Sequence, residues 1–281
     1  MTDSSLSSTI NRPAITPLRS QLLSSVPGVI HGLTHRVEGM GRANGNIGYS
    51  GERDRADAWE MRQQWCEAIG VEPARMVLVG QVHGNGVLEA QPDHAGAGAA
   101  PGSAQVGYAD ALMTDRAGLV LTTLHADCLP ILIVDPERPA IAAVHAGWRG
   151  TVLDVAGATI RAVQERYNSD PAELLVYLGP AIGGCCNEVG SEVTGAWREQ
   201  VRDLGPLAEL AVTKPGIKEH FDVPRANTLL LQRAGVQPEN MEVSATCTQC
   251  NTDDWFSHRG HGPSAGRQAA LIMLTTAGDA T

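Results

Sequence analysis

The fold is decided by a stretch that runs from residue 119 to residue 150 and has the sequence LVLTTLHADCLPILIVDPERPAIAAVHAGWRG. Two apolar segments, residues 119–134 and 140–144, are rich in Leu, Val and Ile, the kind of composition that favours β-strands. They lack the regular polar alternation of a strand with one face in water. We therefore predict that these strands form the centre of a sheet covered on both faces.

Mixed helices and strands are predicted on either side of this stretch. Apolar residues at helical spacing predict helices over residues 52–69, 151–167, 192–201 and 223–234. Strands are predicted within residues 76–90, where Gly84 and Gly86 bend the chain, and over residues 174–178, 241–245 and 269–274. Because helices and strands do not alternate strictly, the pattern favours a single mixed α+β domain over a doubly wound fold.

The ends of the chain differ in character. Residues 1–25 are polar and include Pro13 and Pro17, which predicts a flexible N-terminal arm, with the single catalytic domain over residues 26–281. The arm lacks the apolar segment of a secretory signal, and no stretch approaches the roughly 20 apolar residues that span a bilayer. A cytoplasmic protein with reduced cysteines is therefore expected.

The charge balance excludes some classes of partner. The net charge is −10, whereas surfaces that bind nucleic acids or anionic membranes need basic patches. We therefore expect neither partner. A substrate that carries phosphate must meet local positive charge inside a cleft.

Three residues with metal-binding side chains stand beside a glycine or proline at the ends of predicted strands: His83, Cys128 and His145. Two imidazoles and a thiolate suit Zn²⁺ in a catalytic site with three protein ligands and one open position. The same residues also fit a structural explanation, in which the cysteine fills the core and the histidines form hydrogen bonds. Spacing alone leaves both interpretations open.

Several motifs in a fixed order resemble one known family over nearly the whole chain, from about residue 31 onward. They are QVHG (81–84), ADALMTD (109–115), HADCLPILIVDP (125–136), HAGWRGT (145–151), LGPAIGGCCNEVG (178–190), FDVPRANTLLLQRAGV (221–236) and FSHRGHGPSAGRQAALI (256–272). The sequence resembles the YfiH-like family, also described as the laccase-domain, multicopper polyphenol oxidase or purine nucleoside phosphorylase family.

The resemblance implies an α+β fold with a β-sandwich-like core flanked by helices. It also implies Zn²⁺ bound by His83, Cys128 and His145, with copper as the alternative metal. The implied substrates are a purine nucleoside and phosphate: phosphorolysis of adenosine, inosine and methylthioadenosine, with hydrolytic deamination of adenosine as a second activity. Bacterial relatives are also linked to the editing of peptidoglycan precursors.

Two residues are candidates for catalysis. Asp127 is the carboxylate nearest to Cys128 in sequence and is expected either to move a proton or to orient a ligand imidazole. Arg149 precedes the predicted helix that starts at Thr151, where backbone N–H groups favour an anion such as phosphate. Arg149 pairing with a structural carboxylate is equally compatible with the sequence.

Two further residues are candidates for substrate binding. Arg259 is expected to contact phosphate or ribose. Asn46 is expected either to bind a base or sugar or to form a turn, since Asn-Gly-Asn tolerates positive φ. Family members commonly carry Arg-Arg-Asp where this chain has Arg259-Gly260-His261, so the resemblance supports a role for Arg259 alone.

Other potential ligands fit the sequence less well. His125 is excluded because positions three apart on a strand face opposite sides. Cys247 and Cys250 form a C-x-x-C pair, but the adjacent Cys185 and Cys186 lack the spacing of a second knuckle pair. Reduced structural thiols are therefore favoured over a second zinc site.

Three alternative functions differ in their chemistry. A copper-dependent polyphenol oxidase shares the His₂Cys ligand set, but the sequence contains no His-x-His pair for a trinuclear cluster. A cysteine hydrolase acting in peptidoglycan precursor editing would use Cys128 as nucleophile. A binding module would bind metal without turnover. We expect a zinc-dependent purine nucleoside enzyme, of open oligomeric state.

Overall fold

Strands form three sheets in the computed structural model, which describes residues 15–275. The strands are β1 (Val29–Leu33), β2 (Met76–Val77), β3 (Val87–Glu89), β4 (Ala111–Thr114), β5 (Val120–His125), β6 (Leu129–Asp135), β7 (Ala140–Ala146), β8 (Leu175–Leu178), β9 (Val212–Thr213), β10 (His220–Phe221), β11 (Met241–Val243) and β12 (Gln268–Leu274). The large sheet has the order β11-β8-β6-β7-β4-β3, and the small sheet has the order β1-β12-β5-β2. Strands β9 and β10 pair separately.

The helices lie outside the two larger sheets. They are α1 (Gln21–Ser24), α2 (Arg55–Ile69), α3 (Trp148–Val152), α4 (Val155–Tyr167), α5 (Ser191–Gln200), α6 (Val223–Arg233) and α7 (His258–His261). Short 3-10 helices cover Pro73–Arg75, Pro92–His94, Arg202–Ala211 and Pro238–Asn240.

The apolar core is arranged in layers. One face of β6 packs through Ile131 and Ile133 against α4 and α6, and the other face packs through Leu132 and Val134 against β5 and β12 of the small sheet. The far face of the small sheet is covered by α2, whose Trp65 is buried. Every residue of β6 and β7 is buried, as predicted for strands covered on both faces. The prediction of an α+β fold with a sandwich-like core flanked by helices is confirmed.

Two predicted elements are interrupted. The predicted strand over residues 119–134 turns at residues 126–128, where Asp127 adopts a left-handed conformation with φ of 82°. The turn moves the chain from the small sheet to the large one. The predicted helix over residues 151–167 is two helices, because Asp154 has φ of 61° and caps the N-terminus of α4.

The segment over residues 76–90 also crosses between sheets. Strand β2 pairs with β5 in the small sheet, and β3 pairs with β4 in the large sheet. The intervening loop carries His83, while the turn between β5 and β6 carries Cys128. The chain therefore crosses between the two sheets twice, and the two crossings carry His83 and Cys128.

Residues 15–25, which the sequence assigns to a flexible arm, pack on the domain. Leu18 forms a bridge with Leu33, and Leu23 of α1 is fully buried. The Glu242 carboxylate accepts hydrogen bonds from Ser20 Oγ at 2.7 Å and from Leu22 N at 2.8 Å. The rest of the predicted arm, residues 1–14, lies outside the described residues.

Within residues 15–275, every helix is too short or too polar to cross a membrane.

Candidate metal centre

The structure brings together the three side chains singled out in the sequence. Nitrogen atoms of His83 and His145 and the sulfur of Cys128 all lie within 4.8 Å of one another. The two imidazole rings are nearly perpendicular, with centroids 4.9 Å apart. Three residues that are distant along the chain therefore form one compact group that could hold a metal ion.

The His83 loop is held by a buried carboxylate, Asp110, just before β4. Its Oδ1 accepts the backbone N–H of His83 at 2.9 Å, and its Oδ2 accepts those of Val82 at 3.2 Å and Gly84 at 2.6 Å. His83 itself has φ of 61°, an uncommon conformation for a non-glycine residue. Asp110 therefore fixes the loop in the conformation that directs His83 toward Cys128.

Asp110 also orients His145. The Nδ1 atom of His145 lies 2.9 Å from Asp110 Oδ1, to which its N–H donates, so Nε2 remains for a metal. Metal-binding histidines usually donate their second N–H to such an acceptor. Asp110 is not among the candidates from the sequence, although it stands in the ADALMTD motif. No contact joins Asp127 to either imidazole in the described hydrogen bonds, so Asp110 rather than Asp127 fills this position.

The electrostatics of the group favour a thiolate. Burial opposes ionisation of Cys128, but His145 and His83 outweigh it and lower the pKa of the thiol to about 6. Burial likewise opposes the charge on His145, but the Cys128 thiolate and the Asp110 carboxylate raise the pKa of its imidazole to about 9. The thiolate is the form of cysteine that binds metals.

The space around the three ligands suits a small ion. Gly147 follows β7, and a Cβ atom at this position would lie 3.0 Å from Cys128 Sγ and 3.0 Å from His83 Cδ2. Glycine therefore permits His83 and Cys128 to approach the chain closely. Two nitrogens and one sulfur form a donor set that fits Zn²⁺ with one position left for a substrate or water.

A cavity of about 610 Å³ opens beside the three ligands. Its size lies within the range of small-molecule sites. Trp148 contributes an aromatic surface, and Arg259 and Arg267 contribute guanidinium groups. An acidic protein thus has local positive charge where the three potential ligands meet the cavity.

Asp127 lines this cavity and is held by two donors. Its Oδ1 accepts a hydrogen bond from Thr248 Oγ1 at 2.7 Å, and its Oδ2 accepts one from the backbone N–H of Arg259 at 2.6 Å. Its side chain is nearly buried, since the residue is 8% exposed. Asp127 therefore lines the same cavity as the three potential ligands, and its catalytic role stays a prediction.

The two predicted substrate-binding residues differ in placement. Arg259 lines the cavity, and its Nη2 donates to Asn187 Oδ1 at 3.0 Å. Asn46 is buried outside the cavity lining: its Oδ1 accepts from the backbone N–H groups of Gly48 and Arg267. The Asn46 side chain therefore holds the local backbone and supports Arg267, a cavity residue that is not among the candidates from the sequence. The positive φ expected here belongs to the preceding Asn44 and Gly45.

Arg149 and its helix differ from the expected phosphate site. Arg149 is exposed outside the cavity lining, with its guanidinium 4.3 Å from the centre of the Trp148 ring. Thr151 lies inside α3 and is not a helix start, and the N-terminus of α4 is capped by the carboxylate of Asp154. Because that carboxylate would repel an anion, the N-terminus of α4 does not favour phosphate, and a catalytic role for Arg149 stays a prediction.

His125 is excluded as a ligand, but for a different reason from the one predicted. Its Nδ1 lies 3.1 Å from the carbonyl oxygen of Cys128, and its Nε2 lies 2.8 Å from Thr123 Oγ1. Both ring nitrogens are therefore occupied. The argument from strand geometry fails because residues 126–128 form a turn.

Four cysteines form a second group in the described part of the chain. The sulfur atoms of Cys185, Cys186, Cys247 and Cys250 all lie within 4.8 Å of one another and could hold a metal ion. The lack of spacing between Cys185 and Cys186 does not keep them from meeting the C-x-x-C pair. That reason for setting aside a second metal site is therefore wrong.

Comparison with known proteins identifies the family. Residues 30–275 match the sequence model described as multi-copper polyphenol oxidoreductase laccase. The chain belongs to this family. The resemblance inferred from the sequence motifs is confirmed.

Relatives within the family are named as nucleoside enzymes. The chain is 35% identical to purine nucleoside phosphorylase YlmD of Geobacillus stearothermophilus over 87% of this chain and 90% of that protein. It is 36% identical to adenosine deaminase RL5 of an unknown prokaryotic organism, over 56% of this chain and 59% of that protein. The crystal structure of YlmD from Geobacillus stearothermophilus superposes with a TM-score of 0.86 at 32% identity, covering 94% of this chain and 98% of that one.

Proposed function

We propose that this protein is a zinc-dependent purine nucleoside phosphorylase that acts on adenosine, inosine and methylthioadenosine, with adenosine deamination as a second activity. The observation that carries the proposal is the convergence of His83, Cys128 and His145 beside a cavity of about 610 Å³. Kinship with relatives named purine nucleoside phosphorylase and adenosine deaminase supports the choice of substrate.

The three proposed ligands would hold one zinc ion at the side of the cavity. A bound zinc ion supplies Lewis-acid chemistry next to the substrate. Asp110 keeps the imidazole of His145 in the tautomer that presents Nε2, and the Asp110 contacts keep His83 in place. Asp110 thus keeps both histidine ligands in position around the ion.

The other cavity residues would bind and orient the substrates. The guanidinium groups of Arg259 and Arg267 are suited to phosphate and to ribose hydroxyls. The ring of Trp148 offers a surface against which a purine can stack. Asp127, held by Thr248 and by the backbone of Arg259, would accept or return a proton at its carboxylate during either reaction.

The proposal is tested by following purine release from the three nucleosides with and without phosphate. Zinc-loaded protein should release free base only when phosphate is present, and ammonia from adenosine in either buffer. His83→Ala should abolish both, whereas His94→Ala, outside the cavity lining, should leave both unchanged. Full activity of the His83→Ala variant would reject the proposal.

A cysteine hydrolase is the second candidate, because one contact pattern favours it. Asp110, His145 and Cys128 are connected in series, the arrangement that activates a thiol nucleophile. Such an enzyme would use these three residues without His83 and without metal. Hydrolysis of a muropeptide substrate by metal-free His83→Ala protein would favour this function, and its absence would exclude it.

The family description also names copper oxidation. A multicopper oxidase needs a trinuclear cluster with many histidines. Within residues 15–275, the two groups of converging ligands are a His₂Cys set and a Cys₄ set, and neither supplies the histidines of a trinuclear cluster. Copper bound at the His₂Cys set is the remaining alternative, and metal analysis of the purified protein distinguishes it from zinc.

A further inference from the structure

Cys185, Cys186, Cys247 and Cys250 form what we call the tetrathiol cluster. Cys185 and Cys186 follow β8, in the loop before α5, and Cys247 and Cys250 follow β11. The distance from Cys250 Sγ is 3.7 Å to Cys185 Sγ and 3.3 Å to Cys186 Sγ. Sulfur atoms from two distant parts of the chain therefore share one small volume.

The spacing of the sulfur atoms fits one tetrahedral ion. Zn–S bonds of about 2.3 Å in a tetrahedron place the sulfur atoms roughly 3.8 Å apart. The observed distances lie near that value and are far longer than the roughly 2.0 Å of a disulfide bond. Four soft thiolates are the donor set of structural zinc sites.

Backbone contacts hold the two cysteine segments together. Ala181 and Cys247 form a parallel bridge, and the Thr248 N–H donates to the Ala181 carbonyl at 3.0 Å. The Gly183 N–H donates to Cys247 Sγ at 3.3 Å, a contact that stabilises a thiolate.

The exposure of the cluster is unusual for cysteines without a partner. Cys185 and Cys250 are exposed, and Cys186 is half-buried. Free cysteine is among the most buried residue types, as Cys66 on the buried face of α2 illustrates. Cys247 is the one buried member of the cluster. Packing alone therefore does not account for the other three thiols, which are reached by solvent beside it.

We propose that the tetrathiol cluster binds a structural Zn²⁺ ion, separate from the ion proposed at His83, Cys128 and His145. Each of the four thiols loses its proton to solvent as its sulfur bonds to the ion, so four Zn–S bonds form and four protons are released. All four positions are filled by protein, which leaves none for a substrate. The role of this ion is to hold two loops together.

Those loops carry residues of the cavity wall. Thr248, between Cys247 and Cys250, donates to Asp127 Oδ1 at 2.7 Å. Asn187, next to Cys186, accepts from Arg259 Nη2 at 3.0 Å. The ion at the tetrathiol cluster thus positions Asp127 and Arg259 without contacting the substrate.

Metal counting on the full chain tests the proposal. Protein purified with zinc and reductant should contain two zinc ions per chain. Cys250→Ser and Cys128→Ala should each contain one, the double variant none, and the control Cys66→Ala two. A native chain with one zinc ion, unchanged in Cys250→Ser, would overturn the proposal whatever the enzymatic activity proves to be.

Cobalt substitution supplies a measurement that does not depend on the Cys250 variant folding. Cys128→Ala protein loaded with Co²⁺ should show the intense thiolate charge-transfer and visible bands of tetrahedral sulfur coordination. Absence of these bands in folded protein would contradict the proposal. Disulfide formation lowers the mass of the protein by the hydrogens that are lost. Such a lower mass in protein purified under the same reducing conditions would also contradict the proposal, since the cysteines would then be oxidised instead of binding a metal ion.

Discussion

Asp110 contacts both halves of the proposed metal centre. Its carboxylate receives three backbone N–H groups from the His83 loop and the Nδ1–H of His145. Hydrogen bonds from His145 and Gly84 outweigh burial and lower the pKa of this carboxyl. The residue therefore remains charged and acts as an acceptor for all four donors.

Asp110→Asn should weaken zinc binding at this centre about 10–100-fold, the usual cost of losing such a partner. An amide provides a single acceptor atom and would turn its NH₂ toward a donor. Competition with a chelator measures the affinity, and the exposed Asp93→Asn serves as a control. Equal zinc affinity in the native and Asp110→Asn proteins would contradict the assigned positioning role.

Asp127→Asn should lower kcat about 10²–10⁴-fold, which is the usual contribution of a group that transfers a proton. The zinc content should remain unchanged, because Asp127 contacts Thr248 and Arg259 and not the three ligands. Steady-state kinetics with inosine and metal analysis of the same sample test both statements. An unchanged kcat would contradict the proposed role of Asp127 in proton transfer.

At the scale of elements, the crossings between sheets explain what the sequence could and could not predict. The buried strands β6 and β7 and the helices α2 and α6 follow from their apolar patterns. The turn at Asp127 and the helix break at Asp154 depend on positive φ at aspartates, which leaves no periodic signal. Strand alternation therefore fails as an argument about His125, because the chain turns directly after it.

The residues of the candidate site that stand in recognisable motifs could be predicted from the sequence. His83, Cys128 and His145 stand in motifs beside glycine or proline, and the structure brings them together. The contacts of Asp110 and Arg267 arise from the packing of distant segments. No local pattern in the sequence marks these two residues.

The N-terminal segment is fixed to the fold through a neutral histidine. The Ser20 N–H donates to Nε2 of His31 at 2.9 Å, so that nitrogen carries no proton. Burial, assisted by Arg19, lowers the pKa of His31 to about 4. The unfolded chain, with a histidine pKa near 6.5, takes up a proton first as pH falls.

This difference predicts that stability is lost as pH falls from about 6.5 toward 4. Between pH 7 and pH 5 the contribution of His31 to the free energy of unfolding should fall by about 2 kcal/mol. Urea unfolding at the two pH values measures the change. The His31→Gln variant should lose this part of the pH dependence, and an identical dependence in both proteins would contradict the assignment.

At the scale of the whole molecule, two proposed zinc ions connect segments that are distant in sequence. One would join the loops around His83 and Cys128 to β7, and the other would join the loops after β8 and β11. A ligand that binds only the folded state stabilises it in proportion to the logarithm of its concentration over Kd. Metal binding should therefore contribute to global stability as well as to chemistry.

Removal of zinc by a strong chelator should lower Tm by several degrees, since 1 kcal/mol corresponds to roughly 2–4 °C for a domain of this size. The Tm of the native chain should fall further than the Tm of Cys128→Ala or of Cys250→Ser, because each variant starts with only one ion. Differential scanning calorimetry with and without chelator measures the shifts. An unchanged Tm in the native chain would show that neither ion stabilises the fold.

The central claim is that one zinc ion held by His83, Cys128 and His145 enables phosphorolysis. The most direct measurement is the rate of hypoxanthine release from inosine in phosphate, for native protein and for His83→Ala at equal zinc loading of the tetrathiol cluster. We predict phosphate-dependent release by the native chain and none by the variant. Equal rates in the two proteins, or release by metal-free native protein, would contradict the account.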